Sequence, residues 1–181
     1  MRDRRYITVD GKPLVLIYKV ALIPDPASML AVWRDECRRA GVGEIYVVAA
    51  LTTWQGNPEE LGFDAAVEFP PHAHRGELVN DSIAFTNPRF SGSVFNFRTY
   101  VAQLMTAPRP DFKLFRAVLP SWDNTARQQH TGSAFIGSSP IRQYTEGWEI
   151  DTLLSWVEKA VSHAVREKLP VGFQRAEFLL E

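Results

Sequence analysis

Short unbroken apolar runs alternate along this chain with longer stretches in which apolar residues return every three or four positions, so the pattern reads as strands alternating with helices. Leu14 to Tyr18 is the first run, and it predicts a strand covered on both faces, as in parallel sheets. Asp25 then stands as a helix N-cap with Pro26 at the first helical position. Met29, Val32, Trp33, Cys37 and Ala40 follow at helical spacing, while Arg34, Asp35, Glu36, Arg38 and Arg39 fall largely on the other face. Gly41 supplies the C-terminal cap. This predicts an amphipathic helix laid on a sheet, with Trp33 and Cys37 packed inward.

Ile45 to Ala50 predicts the next buried strand, and Ala65 to Phe69 a short one stopped by Pro70-Pro71, which cannot continue a ladder. Tyr100 to Met105 predicts a helix ended by Pro108 and Pro110, and Leu114 to Leu119 a third strong strand. A last helix is expected from Trp148 to about Leu169, with a stripe through Ile150, Leu153, Leu154, Val157, Val161, Ala164 and Val165, before Pro170 stops it. This order is that of an α/β protein built from parallel βα units. The apolar strands are too few to close a sheet, so the expected architecture is part of a TIM-like (β/α)8 barrel, with residues 1–181 as a single partial domain. Open strand edges call for cover, from missing barrel segments or from a second copy in a homo-oligomer.

Charge and composition narrow the function. The 181 residues carry 20 basic and 21 acidic side chains, a net charge of −1 with no basic block, so nucleic acid is not an expected partner. No apolar run approaches the length of a membrane span, and the charged start Met1 to Tyr6 lacks the apolar core of a signal peptide. The single cysteine, Cys37, excludes an internal disulfide framework, and a cytoplasmic location is expected.

Candidate chemistry gathers where predicted strands end, the place at which α/β folds meet their ligands. The strand from Leu114 runs into Trp122, Asp123, Asn124 and Arg127. An indole can cover the apolar face of a pyranose while a carboxylate and an amide hold its hydroxyls, so a saccharide or sugar-donor substrate is the expected ligand. A structural role for the same residues is a turn in which Asp123 caps the next segment and pairs with Arg127. Glu68, at the end of a short strand, and His72 are placed to border the pocket. Glu68 could equally satisfy Arg75 or a loop amide. Tyr18, Lys19 and Trp54 would line the same rim, although Trp54 could simply cover an apolar edge. His72 and His74 with Glu68 lack a third fixed ligand, so no metal is expected. No Gly-x-Gly-x-x-Gly or Walker-type loop is present, and no cofactor is expected.

Three blocks carry a family resemblance. Asp3-x-Arg5-Tyr6-Ile7-x-Val9-Asp10-Gly11-Lys12-Pro13-Leu14, then Gly62-Phe63-Asp64-Ala65-Ala66-Val67-Glu68-Phe69-Pro70-Pro71-His72, then Pro120-Ser121-Trp122-Asp123-Asn124-Thr125-Ala126-Arg127 resemble, in order, the WbsX family. That family is named a glycosyltransferase of bacterial lipopolysaccharide or O-antigen synthesis and is similar to the family 99 endo-mannosidases, which are (β/α)8 barrels. The resemblance implies a carbohydrate-active segment acting by glycosyl transfer or hydrolysis. It also implies further βα units before the first block and a later Trp-Asn-Glu-Trp-x-Glu-Gly type motif, which this sequence does not contain. Glu177 and Glu181 lack that motif's flanking residues, so no catalytic role is carried onto them. A truncated, non-catalytic module that binds saccharide or associates with another chain is the alternative expectation.

Overall fold

The computed structural model describes residues 1–136, except 2, 4, 121 and 129, together with 158, 159 and 162. Its strands are β1 (Thr8–Val9), β2 (Lys12–Ile17), β3 (Tyr46–Leu51), β4 (Ala65–Glu68), β5 (Ser93–Asn96), β6 (Leu114–Phe115) and β7 (Ser133–Ile136), and its α-helices are α1 (Pro26–Arg39) and α2 (Phe97–Thr106). Glu158, Lys159 and Ser162 are helical, and the rest of the expected helix from Trp148 to Leu169 lies outside the described residues. The chain divides into two compact units. The first takes Met1–Phe69, Arg109–Ala117 and Val161–Glu181, and the second takes Pro70–Pro108 and Val118–Ala160.

The first unit is a mixed α/β structure whose strands are mostly parallel. Asp10 and Gly11 both adopt left-handed backbone (φ 51° and 74°), as a two-residue hairpin turn requires, and fold β1 antiparallel onto the start of β2. From β2 the sheet continues in parallel through β3 and β4 to β6. Leu14 faces Tyr46, Val48 faces Ala65 and Ala66 faces Leu114. Because side chains alternate across a strand, the registered strands make two apolar faces. Tyr46, Val48 and Ala50 join Ala65, Val67 and Phe115 on one, with Val9 beside them and Phe69 packed against the cluster. Val47 and Ala49 lie on the other, under Leu30, Met29 and Cys37 of α1.

Asp25 caps α1 through a 3.0 Å hydrogen bond from the Ser28 amide, and Gly41 follows the helix at φ 70°, both as the sequence predicts. The buried stripe differs from the expected one. Leu30 is fully buried, whereas Val32 is 58% and Trp33 38% exposed. At about 100° per residue Leu30 and Cys37 share a direction, Trp33 lies toward its edge and Val32 points nearly opposite. Cys37 does pack inward.

Two strands also depart from expectation. Leu16 of β2 is 45% exposed, so β2 is not covered on both faces. The strand expected over Leu114 to Leu119 pairs only at Leu114 and Phe115. Its neighbour β4 ends at Glu68, just before the cis Pro70–Pro71 bond, and offers no further ladder.

The second unit contains a pairing that the apolar runs did not announce. β5 and β7 are parallel neighbours, with Phe95 opposite Phe135. Segments around Leu78 and Asp123 add single antiparallel bridges at their outer edges. α2 starts earlier than expected because Asn96 caps it, its side chain accepting from the Arg98 and Thr99 amides at 2.9 and 3.4 Å. Phe97, Tyr100, Val101 and Leu104 form its buried stripe and close on Phe135. Among the described residues no helix is long and apolar enough to cross a membrane.

Leu30→Ala is expected to lower stability by about 2–5 kcal/mol, against about 0.5 kcal/mol or less for Val32→Ala, measured by urea unfolding. Equal losses would mean that the helix is held by another face. Tyr46, 5% exposed, has its phenol pushed up from 10.0 to about 12, first by burial and then by the carboxylates of Asp64 and Asp10. The folded protein therefore keeps this proton longer than the unfolded chain does. The associated stability is fully present below pH 10 and is lost as pH rises toward about 12. Unfolding midpoints followed across that window should fall less steeply in Tyr46→Phe than in the parent.

Candidate functional site

β4 is short and fully buried and is followed, after Phe69, by two prolines, so what happens at its carboxyl end is set by its neighbours. Glu68 lies opposite Leu51 and shares the face of Ala66, the side on which Leu51, Ala66 and Leu114 form a small apolar cluster. Its carboxylate is 9% exposed, so it needs partners. One oxygen accepts from the Arg116 guanidinium and the other from the Ala117 amide at 3.0 Å. The sequence expectation of an ion pair or a loop amide is met by both at once, with Arg116 in place of Arg75.

Trp54 leaves β3 on the same side. It packs against Leu51 and the helix-covered cluster, over Gly56, where an added Cβ would sit 2.8 Å from the indole. Its role here is to cover an apolar edge. The opposite face carries a different group at its carboxyl end. Tyr18, 42% exposed, and Phe69 bring their rings to 4.9 Å between centroids at 56°. The Lys19 ammonium stands 5.8 Å from the Tyr18 ring centre. Buried Thr52 donates its hydroxyl to the Tyr18 carbonyl at 3.0 Å, and its own carbonyl accepts from the Gln55 amide at 2.8 Å. The aromatic pair is thus fixed by the backbone below it. Phe69, Thr52 and Arg116 were not singled out in the sequence. The position of Phe69, one residue past a strand and before two prolines, was the available signal.

The Trp122 to Arg127 motif belongs to the second unit, where several of its polar groups meet backbone amides. Trp122, partly buried, packs against the cluster of Phe97, Tyr100 and Phe135. Its indole N–H is buried without a hydrogen-bond partner among the described residues. Exposed Asp123 accepts at one oxygen from the Thr125 amide and hydroxyl, at 2.8 and 2.6 Å, and does not pair with Arg127. Four residues is a helical spacing, and this segment is a turn. Asn124 accepts from the Ser133 amide at 2.6 Å and so mimics a strand neighbour of β7. Arg127 is exposed, and its amide donates to the Asn124 carbonyl at 3.0 Å. His72 is exposed, after the cis Pro70–Pro71 bond, and falls in the second unit, whereas Glu68 belongs to the first. Among the described residues no three His, Cys, Asp or Glu side chains gather as metal ligands do.

The chain as a whole matches known proteins. The family described as Glycosyltransferase WbsX matches residues 1–165. The chain belongs to this family. It is also 35% identical over 163 residues to a protein of Xanthomonas campestris pv. campestris strain B100 named "Uncharacterized protein WxcX", and 34% identical to its namesake in a second strain. Each match covers 90% of this chain and 22% of the relative, so the chain spans about a fifth of the length of these curated relatives. No solved structure matches the chain.

The clamp around Glu68 can be tested apart from any activity. Glu68→Ala leaves Arg116 buried without its partner and is expected to cost about 3–5 kcal/mol in urea unfolding, with Arg116→Met recovering part of the loss when added. A double variant no more stable than the single one would dissolve the pairing.

Proposed function

We propose that this chain is the sugar-handling part of a glycosyl-transferring WbsX protein that builds bacterial surface polysaccharide of the lipopolysaccharide or O-antigen type. On this reading residues 1–181 are one partial domain of a TIM-like (β/α)8 barrel. The observation that carries the reading is the Tyr18–Phe69 pair at the carboxyl end of a parallel sheet, in a chain of this family. Open α/β sheets and α/β barrels place their ligands at this end. A tilted aromatic pair offers an apolar surface to the C–H face of a pyranose, and a neighbouring ammonium supports a hydroxyl or a phosphate oxygen of a sugar donor. Tyr18, with Phe69 and Lys19, is therefore the proposed contact. Glu68 acts beneath it by holding the strand end.

A second reading, a module that binds saccharide without reacting, is favoured by one specific observation. The strand-end and turn carboxylates are already engaged, Glu68 with Arg116 and Ala117, and Asp123 with Thr125. Glycoside cleavage through paired carboxyl groups needs two of them facing the bond. Glycosyl transfer measured on the full chain with sugar-nucleotide donors separates the two readings.

Both share one expectation. On an array of bacterial surface polysaccharide fragments the chain retains particular saccharides, and Tyr18→Ala weakens that retention about tenfold, while Tyr18→Phe keeps most of it. Retention unchanged by Tyr18→Ala would remove this end of the sheet from saccharide recognition.

A further inference from the structure

The second unit carries an open surface cleft of about 390 Å³ whose walls come from three places in the sequence. Phe85 and Phe90 supply the aromatic wall, with rings 4.9 Å apart at 35°. Val94 of β5 forms the apolar floor, and Thr86, Asn87 and Thr125 line it with polar atoms. None of the lining residues carries a charge. Phe85 is 38% exposed, so its ring can be reached from solvent.

The walls are built rather than incidental. Asn80 bridges two strand positions, donating to the Gly92 carbonyl at 2.8 Å and accepting from the Val94 amide at 2.8 Å. The Ser91 amide donates to the His130 carbonyl at 2.7 Å, and the Ser93 amide to the Gly132 carbonyl at 3.0 Å. Gly92 has no room for a side chain, because a Cβ would lie 2.5 Å from the Phe90 ring, so the ring rests directly on backbone. Asp123 fixes Thr125 from the far side by accepting its amide and hydroxyl, which leaves the hydroxyl oxygen as an acceptor. The Asn87 carbonyl oxygen is used by the Arg89 amide at 3.0 Å, which leaves the side-chain NH2 as a donor without a partner among the described residues.

We propose that this cleft is a subsite for a neutral pyranose, stacked on Phe85 and Phe90 and hydrogen-bonded by Asn87 and Thr125. The proposal rests on the carbohydrate reading above and extends it to the second unit. Three features select the ligand. The exposed Phe85 ring, backed by Phe90, offers an apolar surface to the C–H face of a sugar, one donor and one acceptor match its hydroxyls, and none of the lining side chains is itself charged. The volume sits at the small end of ligand pockets, about 300–1,000 Å³, which suits a short saccharide. The ligand assigned here is a neutral saccharide unit, and the uridine diphosphate arm of the test decides whether an activated donor also enters.

The test is residue-resolved NMR of the ¹⁵N-labelled full chain titrated with methyl glycosides of glucose, mannose, galactose and N-acetylglucosamine, and separately with uridine diphosphate. At least one glycoside is expected to shift the Asn87 side-chain amide and the Phe90 and Thr125 backbone amides. Phe85→Ala should weaken that response at least tenfold and Phe85→Tyr should keep it, while Tyr18→Ala leaves it in place. Because Phe85 is exposed, the unperturbed remainder of the spectrum verifies the fold of each variant. Shifts confined to the Tyr18 and Phe69 region would overturn the subsite and leave the reading of the first unit standing. Shifts confined to the cleft would support the subsite and remove the strand-end site. Glycosides that perturb neither region would overturn both, and a Phe85-dependent response to uridine diphosphate would overturn the neutral-ligand assignment.

Discussion

The first unit is held in register by what a carboxylate does at each end of β4. At the amino end Asp64 accepts from the Val47 amide at 2.8 Å and from the Arg34 guanidinium at 3.0 Å, joining β3 and α1 to the start of the strand. At the carboxyl end Glu68 accepts from the Ala117 amide and pairs with Arg116, beyond β6. Each carboxylate thus serves one backbone amide of a neighbouring segment and one guanidinium. A strand of four residues makes few ladder bonds of its own, and a slip of one position would turn its apolar set to the wrong face. The two carboxylates fix the position from outside the ladder, where charge-assisted hydrogen bonds are stronger than neutral ones.

The chemistry available at the strand ends is a consequence of that arrangement. Glu68 and Arg116 leave on the face of Ala66 and Leu114, where they neutralise each other in partial burial. Tyr18 and Phe69 leave on the other face, and there the strand ends offer aromatic surface instead of charge. Side-chain alternation thus separates the structural ion pair from the surface proposed to meet a ligand, although Glu68 and Phe69 are adjacent in sequence. A sugar bound against the rings would have its orientation set by a strand end that the ion pair keeps in place.

Much of this frame was legible in the amino-acid order. Unbroken apolar runs marked β2, β3 and β4, and Asp25, Pro26 and Gly41 marked the ends of α1, because each works through local backbone geometry. The Asp10-Gly11 pair carried a hairpin signal that apolar runs alone do not capture. The helix face was misassigned at Val32 and Trp33, since apolar identity does not reveal which side of a helix the sheet will take. β5 and β7 stayed hidden because each is four residues long and their partnership spans a large sequence separation. The Trp122 to Arg127 motif was legible as unusual, but its residues serve the turn and the edge of β7. Polar side chains that replace ladder hydrogen bonds look, in sequence, the same as polar side chains waiting for a ligand.

That ambiguity bears on how carbohydrate-handling surfaces are read in this family. Charged and amide residues draw attention in a sequence, yet Glu68, Asp123 and Asn124 satisfy backbone amides that would otherwise lack partners at strand and turn ends. Among the exposed apolar residues, Tyr18 in the first unit and Phe85 in the second each stand beside a second ring. A sugar offers many hydroxyls that water already satisfies, so hydrogen bonds to it contribute little net free energy compared with covering its apolar face. Recognition by exposed ring pairs, with polar groups fixed around them by the backbone, is the arrangement this balance favours. It also makes the polar motif a marker of the rigid frame and the ring pair the place where saccharide contact is expected.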